Sequence, residues 1–294
     1  MLVKIFYEID EFCKQFDKQF NARLLTDGDN KRLKEFSLSI TEIMTICVYY
    51  HETGYKTFKD YYTKYVLEHM KTDFRCLVSY NRFIELRQKV LFHLVLFAQF
   101  NSMKKCTGIS FIDSFSLKAC HIRRVYSHKV FKGLAQKGKT SVAWFYGLKL
   151  HAVINHQGEI VAFCITPGNV SDCNENILLR ITKKLFGKLF GDKGYIINQE
   201  LFEKLYMAGI HLITKLRKNM KNKLMSLEDK YLLRKRGTIE SVGSILKERL
   251  SMEHTRHRSI TGFFTHIIAT IIAYNFRENK PSIVNLDRTF ITAA

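Results

Sequence analysis

The 294-residue chain is 46% hydrophobic and 25% charged, a balance that allows one large core with a smaller satellite domain and excludes a chain too polar to fold. Its 47 Lys and Arg outnumber 27 Asp and Glu, giving a net charge of +20 and a pI near 9.6, which excludes a charge-balanced surface and points to a polyanion, nucleic acid ahead of anionic membrane. Seven cysteines, odd in number and never spaced CxxC, argue against a disulfide framework and lead us to expect reduced thiols in the cytoplasm.

Residues 1–20 alternate apolar residues with Lys4, Glu8, Asp10, Lys14 and Lys18, so neither a signal peptide nor a spanning segment is expected there. Residues 1–105 read as helices only. Ser39-x-x-Glu42 is a capping box ahead of Ile43, Ile46, Cys47 and Tyr50, and Ser79 precedes Phe83, Leu86, Val90 and Leu94 at helical spacing. The Gly-bearing turn His51-Glu52-Thr53-Gly54-Tyr55 between them fits a helix-turn-helix-like DNA-binding unit or a plain helical scaffold.

From Gly108 the pattern changes. Residues 108–113 form a short β run, and residues 145–154 and 159–166 are β-rich runs joined by the hairpin Asn155-His156-Gln157-Gly158. A helix over 174–185, a strand over 188–191, a helix over 198–207, a strand over 211–214 and a helix over 239–250 follow. The order βββαβαβα is that of an RNase H-like α/β fold, a mixed sheet flanked by helices, here preceded by an all-helical N-terminal region. The helix expected over 260–275 is apolar around most of its circumference, too short to cross a bilayer, and is expected to pack on the sheet. The expected domains are 1–105, 106–280 and a tail over 281–294.

The positive charge is uneven. Between Ser114 and Gly158 there is no Asp or Glu, while Lys118, Arg123, Arg124, Lys129, Lys132, Lys137, Lys139 and Lys149 fall there. A second basic run spans residues 215–236, with only Glu228 and Asp229 against it, and stops just before Glu240. Binding through such runs releases counterions, so affinity should fall by about 0.9 log units per log unit of salt for each phosphate contacted.

Asp113 closes the apolar run Ile109-Ser-Phe-Ile112, and Asp192 closes Leu189-Phe-Gly191, so each carboxylate leaves a buried strand at a desolvation cost. Asp192 could equally cap the turn at Lys193-Gly194. Glu240 lies in Arg236-Gly-Thr-Ile-Glu240-Ser-Val-Gly-Ser-Ile-Leu-Lys247. At about 100° per residue, Arg236 and Lys247 fall near Glu240 with Gly237, Gly243 and Ser244, while Ile239, Val242, Ile245 and Leu246 face a core. Small residues beside a carboxylate leave room for a metal and a phosphate, although an Arg four residues before an exposed Glu can be a mere surface pair.

Arg236-x3-Glu240-x6-Lys247 resembles the Tyr-x2-Arg-x3-Glu-x6-Lys signature of insertion-sequence DDE transposases, with Leu233 in place of the Tyr. Phe-Ile-Asp113-Ser and Phe-Gly-Asp192-Lys-Gly-Tyr195 look like the strands that carry the family's two aspartates. The strings at 131–139, 214–221 and 253–258 are similar to the insertion sequence 982 family in particular, and the resemblance runs from about residue 36 to Ile283. It implies a DNA transposase in which Asp113, Asp192 and Glu240 are catalytic and hold two Mg²⁺ ions, Mn²⁺ being able to substitute, for in-line attack at phosphorus by a water or a 3′-hydroxyl. It also implies DNA contacts from Arg236, Lys247 and Lys193. Arg123, Arg124 and Lys132 of the first basic stretch join them as candidate DNA contacts. The partners are transposon-end and target DNA, met by a homodimer or larger assembly, with no membrane. Added Mg²⁺ or Mn²⁺ should raise thermal stability.

Two rival readings remain at this point, a non-transposing metal-dependent nuclease and a DNA-binding derivative that no longer catalyses. The histidines do not make a zinc site, since His121 and His128 are seven apart and His254 and His257 lack a cysteine partner at finger spacing. Asp172 is expected to cap the helix that follows it rather than to act as a fourth ligand. Trp144, Phe145 and Tyr146 open a strand, where core packing is expected and stacking on unpaired bases is the alternative.

Overall fold

The computed structural model describes residues 1–27, 38–74, 76–140, 143–216, 224–253 and 257–283. Parts of the second basic run (217–223), of the 253–258 string and of the tail (284–294) lie outside the described residues, His254 among them. The chain divides into two compact units, one from residues 1–102, 248–252 and 257–277 and the other mainly from residues 103–247.

The first unit is helical throughout its described residues. It opens with α1 (Leu2–Asp27), which buries Ile5, Ile9 and Phe12 at helical spacing, and α2 (Ile40–Tyr49), which starts at the expected capping box. There the Ser39 hydroxyl accepts from the Glu42 amide at 3.1 Å, and Glu42 accepts from the Ser39 amide at 2.7 Å. α3 (Phe58–Tyr61) runs through a π turn into α4 (Leu67–His69). Next come α5 (Tyr80–Lys89), capped by Ser79 as expected, and α6 (Leu91–Phe97). α2 is enclosed by α1, α5 and the last helix of the chain.

The second unit is a mixed six-stranded sheet flanked by helices, built from β1 (Ile109–Cys120), β2 (Gln136–Lys139), β3 (Trp144–Asn155), β4 (Ile160–Pro167), β5 (Gly187–Gly191) and β6 (Ile210–Thr214). β3 pairs antiparallel with β1 along one edge. Its other edge is shared by β4, opposite 148–154, and β2, opposite 144–147. β5 and β6 add in parallel on the far side of β1. α7 (Glu175–Thr182) and α8 (Gln199–Met207) join Ile112, Val153 and Leu189 in one core cluster on one face. α9 (Leu227–Lys235) and α10 (Gly237–Ser244) pack on β5, β6 and β1 from the other.

Four elements depart from expectation. β1 does not stop at Asp113 but continues to Cys120, because Ser114-Phe-Ser-Leu-Lys-Ala alternates polar and apolar residues with the period of a strand. β2 has no apolar alternation and exists through its pairing with the start of β3, while α9 starts where Ser226 accepts from the Asp229 amide at 3.0 Å, inside the basic run. The last helix, α11 (Ile260–Phe276), belongs to the helical unit, where α2, α5 and α6 cover its apolar circumference, rather than packing on the sheet as expected.

Within that unit two histidines are buried. His51 Nδ1 lies 2.7 Å from the Leu250 carbonyl oxygen and His266 Nε2 2.9 Å from that of Ser251. Burial lowers His51 to about 3 and His266 well below its ordinary value. A lowered histidine pKa gives stability that is present above pH 6.5 and lost as pH falls, at up to about 1.4 kcal/mol per pH unit per histidine. Chemical denaturation between pH 7 and 4 should therefore show a falling unfolding free energy, and His51→Gln should flatten that slope.

Candidate active site

Register does the first part of the assembly. β1 and β5 run parallel with Ser110 beside Leu189 and Phe111 beside Phe190, whose rings stack at 5.5 Å. Carried two residues further, the same register brings Asp113 next to Asp192 on strands about 4.8 Å apart. Asp113 stays inside β1, opposite Ala152 of β3. Asp192 lies just past β5, where its carboxylate accepts from the Gly194 amide at 2.8 Å and caps the short turn Lys193–Tyr195. The capping role read from the sequence is thus real, and it aims the carboxylate as well.

Glu240 arrives on α10, and a glycine sets how closely. A Cβ on Gly243 would lie 2.2 Å from the ring of Phe115, which is two residues beyond Asp113 and so on the same face of β1. The expected clearing of small residues is corrected here, since Gly243 is a contact that lets the helix press on the strand. Gly237 has open space beside it, and Ser244 is exposed. Of the residues expected to face inward, Ile239, Val242 and Leu246 are buried and Ile245 is partly buried. Leu233, standing where the signature has Tyr, is buried too.

Arg236, at the break between α9 and α10, joins two of the carboxylates. Its Nη1 donates to Asp113 Oδ2 at 3.3 Å and its Nη2 donates to Glu240 Oε1. The Asp113 and Arg236 side chains are 19% and 15% exposed, whereas Glu240 is 58% exposed, so solvent screens its half of the bridge. Burial raises Asp113 to about 6. The Ser114 amide, donating at 2.8 Å, and Arg236 pull it down, while Asp192 and Glu240 push it up. Asp192 and Glu240 therefore lie close enough to act on the Asp113 carboxylate.

Among the described residues no three His, Cys, Asp or Glu side chains close on a single point as a metal cluster. Arg236 stands between two of the acids instead. The donor set still suits a hard divalent cation, being all oxygen and mutually repulsive until a cation joins it.

The basic candidates separate. Lys247 lies in the π turn Ile245–Arg249 that follows α10, and its ammonium donates to Ser116 Oγ at 3.3 Å on β1. Burial pulls it below its ordinary pKa, against the attraction of Glu253. It therefore meets β1 three residues from Asp113 rather than at Glu240. Lys193 is exposed next to Asp192. Arg123, Arg124 and Lys132 are exposed in the segment after β1, about 23 Å along the strand from Asp113, and are not brought to the carboxylates.

Asp172 is corrected. Asn174 caps α7, accepting from the Ile177 amide at 3.3 Å, which leaves the Asp172 carboxylate to accept from Lys149 Nζ at 3.1 Å. A Cβ on Gly194 would lie 2.9 Å from Asp192 Oδ1 and 3.6 Å from Asp172 Oδ2, so both carboxylates flank one turn. His151, fully buried, bonds Thr166 Oγ1 at 2.9 Å through Nε2 and holds Nδ1 3.9 Å from Asp172. The legible signal was polar residues two apart in neighbouring strands, Ser114 and Ser116 opposite His151 and Lys149.

The family model described as a transposase DDE domain matches residues 103–260, more than half of the chain. The chain belongs to the DDE transposase family, an enzyme class that cuts and transfers DNA, so its substrates are DNA. A comparison with curated proteins found no match.

Two outcomes test this geometry. The folded pKa of Asp113 is raised above 3.8, so its contribution to metal-free stability is present below about pH 4 and lost as pH rises through about 6. Asp113→Asn should thus gain on the parent with rising pH, by about 3 kcal/mol at most at pH 8, in urea titrations with a chelator. Gly243→Ala should cost about 1–3 kcal/mol in the same assay by forcing the Phe115 ring aside, and adding Phe115→Leu should recover part of the loss.

Proposed function

We propose that the chain is the transposase of an insertion sequence, closest to the insertion sequence 982 family, with Asp113, Asp192 and Glu240 as its catalytic carboxylates. The observation that carries this reading is the electrostatic coupling of Asp113 to both other acids with Arg236 bridging two of them. The strand order β4-β3-β1-β5-β6, with three antiparallel strands followed by two parallel ones, supports an RNase H-like fold for the catalytic domain.

Asp113, Asp192 and Glu240 would hold two divalent ions, Mg²⁺ or Mn²⁺. Such ions activate a water or a 3′-hydroxyl and neutralise the leaving oxygen at phosphorus. With the carboxylates engaged by cations, Arg236 would be available to grip a phosphate in bidentate fashion, and Lys247 and Lys193 would add point charges. Lys149 and Asp172 steady the turn that aims Asp192. The helical unit recognises the transposon ends, with α2 as its enclosed scaffold rather than its reader, and two DNA ends call for a homodimer or larger assembly. All seven cysteines are free, which suits a reducing cytoplasm. Among the described residues no helix is long and apolar enough to cross a membrane.

Incubation with labelled element-end DNA and a target plasmid should give Mg²⁺-dependent joined products. Asp113→Asn, Asp192→Asn and Glu240→Gln should each lower joining by about a thousandfold or more. Cleavage without joining would support a plain nuclease, and joining unaffected by these substitutions would sink the assignment.

A further inference from the structure

The far end of the sheet carries a feature that the carboxylate site does not use. Tyr126 is 91% exposed and Trp144 59% exposed, while the neighbouring Phe145 and Tyr146 are buried. Each exposed ring has an ammonium against it, with Lys137 Nζ 5.2 Å from the Tyr126 centroid and Lys139 Nζ 5.7 Å from that of Trp144. Lys137 and Lys139 alternate on β2 and so share a face, and Lys139 pairs directly with Trp144 on β3. Arg123, Arg124, Lys129 and Lys132 are exposed in the adjoining segment, and residues 114–158 contain no acid to offset them.

Two exposed rings with ammonium groups against them, beside a basic segment free of acids, offer a stacking face and positive charge together. Nucleobases offer a stacking face and phosphates the negative charge, but a base can lie on a ring only when it is not paired within a duplex. We infer that Trp144 and Tyr126, with Lys137 and Lys139, form a platform that binds unpaired DNA bases. The inference rests on the DNA-substrate reading and adds to it the form of the DNA at this place. Trp144 lies eight residues along β3 from Ala152, the partner of Asp113, which is about 26 Å, or about eight base steps of DNA. The platform therefore holds DNA away from the reacting phosphate, at a point where the strands have been parted.

Trp144 is the only tryptophan in the chain, so its fluorescence reports on this place alone. The full chain, in EDTA to prevent cleavage, would be titrated with a short oligothymidylate and separately with a duplex of the same length. Stacking should quench the tryptophan with the single strand and far less with the duplex. Tyr126→Ala and Trp144→Ala, followed by anisotropy of labelled DNA, should each weaken single-strand binding roughly five- to 150-fold while duplex affinity stays within about twofold. Trp144→Phe should keep most of the affinity. Tyr206→Ala, which removes an exposed ring beside β6 at the other edge of the sheet, should change neither. An unquenched tryptophan at saturating single strand, or equal losses for both DNA forms, would overturn the inference while leaving the DNA reading intact. Failure to bind either form would overturn both.

Discussion

Like charge brought together in a half-buried place is the constraint on which the rest of this site depends. Asp113 sits inside a strand where burial already favours its neutral form, and Asp192 and Glu240 add to the penalty. Arg236 relieves part of it by bridging Asp113 and Glu240. In the proposed reading, a divalent cation would relieve the remaining repulsion more strongly than a guanidinium does. On that reading, cations held by the carboxylates would leave the arginine available to a phosphate.

The fold supplies the geometry by ordinary means. Parallel pairing of β1 and β5 sets two aspartates side by side, and the stacked Phe111 and Phe190 hold that register two residues below them. One glycine, Gly243, allows α10 to press on Phe115, which places Glu240 over the same strand. The π turn after α10 then carries Lys247 back to β1 at Ser116. Arg236 and Lys247 are separated by about 16 Å along the helix axis, so they serve different parts of one surface.

The acidic residues were legible because a charge at the end of an apolar run is costly and stands out, and because their neighbouring strings resemble a known family. The order of strands and helices followed from periodicity, and the capping residues Ser39 and Ser79 from their chemistry. What was not legible depended on contacts distant in sequence. β2 has no pattern of its own, α11 is apolar enough to suit either unit, and the role of Gly243 is visible only with Phe115 against it. Asp172 was misjudged since two capping residues stood within three positions, and only the structure shows that Asn174 takes the amide while Asp172 takes Lys149.

The most direct test of the account is binding of Mn²⁺ without DNA, followed by the loss of its free-ion electron paramagnetic resonance signal. The wild-type chain should take up the ion, and Asp113→Asn, Asp192→Asn and Glu240→Gln should each weaken uptake at least tenfold, while Arg236→Gln, which removes the competing cation, should leave it intact or strengthen it. Uptake that none of the three carboxylate substitutions disturbs would contradict the claim that these acids form a single cation-binding centre.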